Sequence, residues 1–192
     1  MNEKIKISLP IIVEGRYDKA AICSIFDATV VATDGFALFN SREKRALIEK
    51  LAIGGIIVLT DSDSGGRQIR TYLSSILPKD KVFHVYVPRI KGKESRKNRP
   101  SKEGVLGVEG VGKEALIKAL SPFIGDRVLG GREICALDFY EDGFSGAPLS
   151  TERRARLAAL AGLPENMSAK ALMGAINILY GYDGYRDLVS KM

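Results

Sequence analysis

Acidic residues stand at the end of two apolar runs. The first run is Ile11-Ile12-Val13-Glu14-Gly15 and the second is Ile56-Ile57-Val58-Leu59-Thr60-Asp61-Ser62-Asp63. If both are strands of a parallel sheet, their C-terminal ends share one edge, where such sheets bind ligands. Glu14 and Asp61 then meet although 47 positions separate them. Asp61 and Asp63 are two apart, so an extended segment points both the same way. Three carboxylates so placed repel one another at neutral pH, and a divalent cation removes the repulsion. Mg²⁺ suits oxygen ligands and keeps waters free for a phosphate, with Mn²⁺ as a substitute. The expected catalytic and metal-ligating residues are therefore Glu14, Asp61 and Asp63, with Glu14 either sharing the ion or acting as acid/base. Gly15, Gly65 and Gly66 follow the acids and let backbone and ligand approach closely.

Rare residues narrow the chemistry further. The only cysteines, Cys23 and Cys135, are far apart and outside any Cys-x-x-Cys pair, and His84 is the only histidine. A cysteine-based zinc site and a multi-histidine site are excluded, and reduced thiols in a cytoplasmic protein are the expectation. His84 lies in the alternating run VFHVYVP and reads as a strand residue. The N-terminal apolar stretch is short and runs into charged sequence, so no signal peptide is expected, and no apolar run approaches a membrane span.

The formal net charge of +6 is concentrated. Between residues 89 and 103, Arg89, Lys91, Lys93, Arg96, Lys97, Arg99 and Lys102 face only Glu94 and Glu103, giving +5 and leaving +1 for the rest of the chain. That focus suits a polyanion such as nucleic acid. Gly92, Pro100 and the serines make the segment a loop. Arg16, Lys19 and Arg67, close in sequence to the acids, are further candidates for holding phosphates.

To place these groups, the first part of the 192-residue chain must alternate strand and helix. PIIVEG, ATVVAT, GGIIVLTD and VFHVYVP read as strands; RYDKAAICSIF, SREKRALIEKLA with Ser41 as cap, and GGRQIRTYLSSIL read as helices. The fold class is therefore α/β, a mainly parallel sheet flanked by helices. GVLGVEGVGKEALIKAL adds an extended piece and a helix. Beyond residue 124 three helices are expected, LSTERRARLAALAGL, SAKALMGAINILYGY and YRDLVSKM, with Ser150 and Ser168 as caps and breaks at Gly162-Leu163-Pro164 and Gly181. The division is thus an α/β domain over 1–123 and a small all-α domain over 124–192.

Two other motifs fail on chemistry. Residues 107–113 fit the start of a P-loop, but the position that must be Ser or Thr is Glu114, whose charge repels phosphate. Asp61, Asp63 and Gly66 fit part of an EF-hand, but its twelfth position is Tyr72 and a strand precedes it. Phe36 and Phe39, in a glycine-containing loop, are weak candidates for stacking on bases.

The pairing of an apolar run ending in Glu14-Gly15 with one ending in Asp61-x-Asp63-x-x-Gly66 resembles the Toprim domain of topoisomerases, bacterial primases, recombination proteins and some nucleases. The resemblance implies that Glu14 serves acid/base catalysis and that Asp61 and Asp63 hold Mg²⁺. VEGRYDKAAI, the Thr33-Asp34-Gly35 loop, LTDSDSGGRQIR, GVEGVGKEALIKAL and the helical tail resemble the ribonuclease M-five family. Where that family commonly has a bulky residue and then Gly after the second aspartate, this chain has Ser64-Gly65-Gly66. The resemblance implies a Mg²⁺-dependent endoribonuclease acting on a structured RNA, the 5S ribosomal RNA precursor, with the 5S-binding ribosomal protein as a partner and no membrane. The helical domain would recognise RNA or protein. The alternatives are a paralogue that nicks or repairs DNA and a non-catalytic nucleic-acid-binding protein.

Overall fold

In a computed structural model the described residues are 3–35, 41–88, 90, 92, 106–125 and 132–192. The chain forms two compact units, Met1–Arg127 and Val128–Met192. Among the described residues, no helix is long and apolar enough to cross a membrane.

The first unit is built on a four-stranded parallel sheet. Its strands are β2 (Ile11–Val13), β4 (Val30–Ala32), β5 (Ile56–Leu59) and β6 (Val82–Val85), in the order β4-β2-β5-β6. Helices α1 (Arg16–Ile25), α2 (Arg42–Leu51) and α3 (Ser64–Ile76) connect them. In β2 and β5 every residue is fully buried, so both faces of the sheet are covered. Ile12, Ile56 and Val58 pack with Ile48 of α2 and with Ile69 and Leu73 of α3 on one face. Right-handed crossovers then place α1 on the opposite face, because the step from β2 to β4 runs against the steps to β5 and β6.

The order in which strands are added therefore reverses between β2 and β5, while all four run parallel. That crevice is the switch point at which open α/β sheets bind ligands. The register pairs Ile12 with Val58 across it, so the chain segments leaving the two strands emerge side by side.

The four strands and the three intervening helices stand where the sequence predicts them, and Ser41 Oγ accepts the Lys44 N–H as the cap of α2. Two two-residue strands, β1 (Ile5–Lys6) and β3 (Phe26–Asp27), pair in parallel apart from the main sheet and carry no sequence pattern of their own. The predicted extended piece before α4 (Lys113–Leu120) is instead a 3₁₀ turn over Val108–Gly110. The Val108 N–H goes to a carboxylate rather than to a ladder.

The second unit consists of α5 (Ala136–Glu141), α6 (Ser150–Ala161), α7 (Ala169–Leu179) and α8 (Gly181–Val189). Phe139, Phe144 and Tyr185 form its aromatic centre, with ring centroids 5.3–6.3 Å apart. Asn177 grips both the N–H and the C=O of Ile134, at 2.8 and 3.1 Å. Three of these helices were expected, and α5 was not. Its exposed Leu137 and Tyr140 give no apolar stripe toward the core. Ser168 caps α7 as predicted, whereas Ser150 does not cap α6: Leu149, left-handed at φ +60°, occupies that position and Ser150 is the first helical residue. Gly162, at φ +70°, ends α6, and Gly181, at φ +64°, opens α8 directly after Tyr180.

Candidate active site

Glu14 is the first residue beyond β2. Its carbonyl is fixed by the end of β4, accepting from Thr33 Oγ1 at 3.1 Å and from the Gly35 N–H at 3.2 Å. Gly15 then caps α1, and its N–H donates to Asp18 Oδ2 at 2.9 Å. The VEGRYD stretch is thus a strand end, a carboxylate and a capped helix start in six residues. Burial raises the Asp18 carboxyl to about 6, and the negative charges of Asp61 and Glu109 raise it too, against the lowering effect of the Gly15 and Glu109 amides.

The second acidic stretch leaves β5 through buried Thr60. Asp63 caps α3, its Oδ1 accepting the Gly66 N–H at 2.9 Å. Gly66 lies so close to this turn that a Cβ would collide with the Asp61 carbonyl and reach Thr60 Oγ1 at 2.8 Å. Gly66 is therefore required by packing against the Asp61 main chain.

Two carboxylates converge. A Cβ on Gly65 would lie 3.4 Å from both Asp63 Oδ1 and Glu14 Oε1. The missing side chain leaves a small space that both acids face, one from each side of the switch point. Asp61 is aimed elsewhere: its Oδ1 accepts the Val108 N–H at 2.7 Å, and Gly107 packs against its carboxylate. Among the described residues, no three His, Cys, Asp or Glu side chains stand close enough together to hold a metal ion. Hard carboxylate oxygens facing one glycine-lined space do fit an oxygen-seeking divalent cation. Glu14 and Asp63 are the pair so placed.

Arg16, Lys19 and Arg67 are exposed on the first turns of α1 and α3, the helices that begin beside the acids. Arg16 donates to the Tyr17 hydroxyl at 2.8 Å and stacks 4.7 Å from its ring. Lys91, Lys93, Arg96, Lys97 and Arg99 lie outside the described residues, as do Phe36 and Phe39. The flanks of the basic segment meet, with the Leu106 N–H donating to the Ile90 carbonyl at 2.8 Å.

His84 is a strand histidine as predicted. Its Nε2 lies 2.9 Å from Ser74 Oγ, and burial, with Arg70 nearby, lowers it to about 4. In the P-loop-like stretch 107–113 the Val108 amide donates to the Asp61 carboxylate.

Sequence reasoning missed two groups. One is the Val108 amide, which as a backbone donor has no side-chain signature. The other is Arg70, buried against the end of β5. Its signal was present: Gly66, Ile69, Arg70 and Leu73 are the buried face of α3, and an arginine at that spacing needs partners inside.

Comparison with known proteins agrees with this architecture. Residues 10–90 match the Toprim domain family. The chain is 36% identical over 111 residues to ribonuclease M5 of Clostridium botulinum, covering 58% of this chain and 55% of that protein. It is 37% identical over 117 residues to ribonuclease M5 of Fusobacterium nucleatum, covering 61% and 58%. The chain thus spans little more than half the length of these two relatives. A longer match, 32% identical over 157 residues, covers 81% of this chain and 77% of ribonuclease M5 1 of Ligilactobacillus salivarius. The chain belongs to the ribonuclease M5 family, and its first unit carries the Toprim domain.

Proposed function

We propose that the protein is a Mg²⁺-dependent endoribonuclease that cleaves a structured RNA, and that this RNA is a 5S ribosomal RNA precursor. The observation that carries the reading is the convergence of Glu14 and Asp63 on the space beside Gly65, at the switch point of the sheet. Family membership supports the same assignment.

Glu14 and Asp63, the pair facing the space at Gly65, would hold the cation, with Glu14 as a ligand or as acid/base, and Asp61, held by the Val108 amide, would add its negative charge at the same edge. The bound ion would supply Lewis-acid stabilisation of charge developing on the phosphate oxygens and lower the pKa of water. The remaining work belongs to the chain. Asp63 keeps its orientation through the Gly66 amide, and Glu14 keeps its position through the Thr33 and Gly35 bonds to its carbonyl. Arg16, Lys19 and Arg67 hold phosphates that flank the cut, and the 89–103 segment tracks the RNA backbone. The 5S-binding ribosomal protein presents the RNA, and the helical unit recognises the RNA or that protein.

A substrate panel tests the reading. The protein is incubated, with Mg²⁺ or with chelator, with labelled 5S precursor alone, the precursor with its ribosomal protein, an unrelated structured RNA and duplex DNA. Discrete Mg²⁺-dependent cutting of the precursor, strongest with the ribosomal protein, is expected. Cutting of DNA in preference to RNA, or tight RNA binding without any cutting, would replace the proposal with a DNA-acting enzyme or a binding protein.

A further inference from the structure

Arg70 is only 7% exposed, yet its guanidinium remains a cation in proteins. Burial pushes its pKa down, while the charge of Asp61 acts the other way. Its guanidinium N–H groups reach three main-chain carbonyls: Val58 at 3.0 Å, Thr60 at 2.9 Å and Val85 at 2.8 Å. The Tyr86 ring covers one side of the guanidinium, 4.0 Å away.

These acceptors share a location. The β5–β6 ladder has its last pair at Leu59 and Val85. Thr60 lies just beyond that pair and just before Asp61. Beyond that pair the planar fork of Arg70 links the two strands, one nitrogen donating to both the Thr60 carbonyl and the Val85 carbonyl and the other donating to the Val58 carbonyl. It also brings a positive charge beneath a turn that must bring acidic side chains together.

We infer that Arg70 is a positioning residue for the acidic edge: by tying the carbonyls of Val58, Thr60 and Val85 into one frame, it sets how the Asp61–Asp63 turn faces Glu14 and thereby the affinity of these carboxylates for a divalent cation. The inference rests on the proposed metal-dependent reading of the site. Lysine keeps the charge but cannot make the planar three-way contact.

The test is Mn²⁺ binding measured by calorimetry on the full chain without RNA, with thermal melts in parallel. Arg70→Lys should weaken Mn²⁺ binding about tenfold, the scale on which groups behind metal ligands act. Its affinity for RNA in chelator should change less than about twofold, because its partners are main-chain carbonyls and not phosphates. Leu73→Ala, on the same buried face of α3, should lower the melting temperature and leave Mn²⁺ affinity unchanged. Should Arg70→Lys not fold, Tyr86→Leu, which uncovers the guanidinium without removing it, should weaken Mn²⁺ binding about threefold. Wild-type Mn²⁺ affinity in Arg70→Lys, or an equal loss in Leu73→Ala, would overturn the inference. A wild-type protein that binds no Mn²⁺ would instead overturn the metal-dependent reading on which it rests.

Discussion

The main-chain N–H of Val108 donates to Asp61 Oδ1 at 2.7 Å, joining residues 47 positions apart. Asp61 is therefore held by a segment that is not one of the two strands flanking the switch point, and that segment begins where the basic stretch ends. The Gly107-Val108 main chain belongs to the candidate site through these contacts with Asp61.

Gly107 and Gly66 should consequently fail in different ways. A Cβ on Gly107 would collide with the Asp61 carboxylate, reaching Oδ1 at 2.8 Å, and a side chain can yield by turning away. Gly107→Ala should cut the cleavage rate at least about tenfold, as misplacing a reacting group does, while lowering the melting temperature only slightly. A Cβ on Gly66 meets the main chain of Asp61, which cannot yield cheaply. Gly66→Ala should destabilise the fold by about 1–3 kcal/mol. Melting curves and single-turnover rates for both variants check the contrast.

The salt dependence of RNA binding should separate the two units. Residues 128–192 hold seven basic and eight acidic side chains, a net charge of −1. Arg153 donates to the Asp142 carbonyl and Arg156 to the Met192 carbonyl, both at 2.9 Å. Replacing Arg16, Lys19 and Arg67 with Gln should flatten the slope of log K against log salt by about one for each phosphate that is no longer neutralised. Replacing Arg153 and Arg156 should leave the slope unchanged.

His84 gives the fold a defined acid sensitivity. Its folded pKa of about 4 lies below the ordinary 6.5, so the unfolded chain binds the extra proton between those values. Stability contributed by neutral His84 is complete above pH 6.5 and is lost as the pH falls toward 4, by on the order of 3 kcal/mol. His84→Gln should flatten the stability–pH curve across that window, as measured by denaturant titration.

Asp18 acts in the opposite direction. Its carboxyl is raised from 3.8 to about 6 in the fold, chiefly by burial and then by Asp61. The folded state therefore favours the protonated form, and stability is lost as the pH rises from about 4 to 6. In chelator, Asp18→Asn should raise the melting temperature at about pH 7.5, above both values, and change it much less at about pH 4.

Much of this was legible because strand ends announce themselves. An apolar run stopping at an acid and a glycine singled out Glu14, Asp61 and Asp63; the structure brings Glu14 and Asp63 together at Gly65, while Asp61 meets Gly107 and Val108. The two-residue strands β1 and β3 are too short to show a period, and α5 exposes the apolar residues that would have revealed it. Ser150 looked like a cap, yet left-handed Leu149 turns the chain one residue earlier. The hold on Asp61 was hidden because backbone amides carry no residue type. Arg70 was visible as a charge on an otherwise buried helix face, and its significance came only with the three carbonyls it meets.

If the carboxylates at this switch point cut RNA with a divalent cation, removing their charge must stop the cut. Cleavage of 5S precursor RNA is measured for wild type, Asp61→Asn, Asp63→Asn and the double variant, with RNA binding measured on the same samples in chelator. Each single variant should lose cleavage by at least about a hundredfold, on the scale expected for removing a group that stabilises transition-state charge, and should bind RNA as wild type does. Wild-type cleavage by a folded double variant would contradict the account.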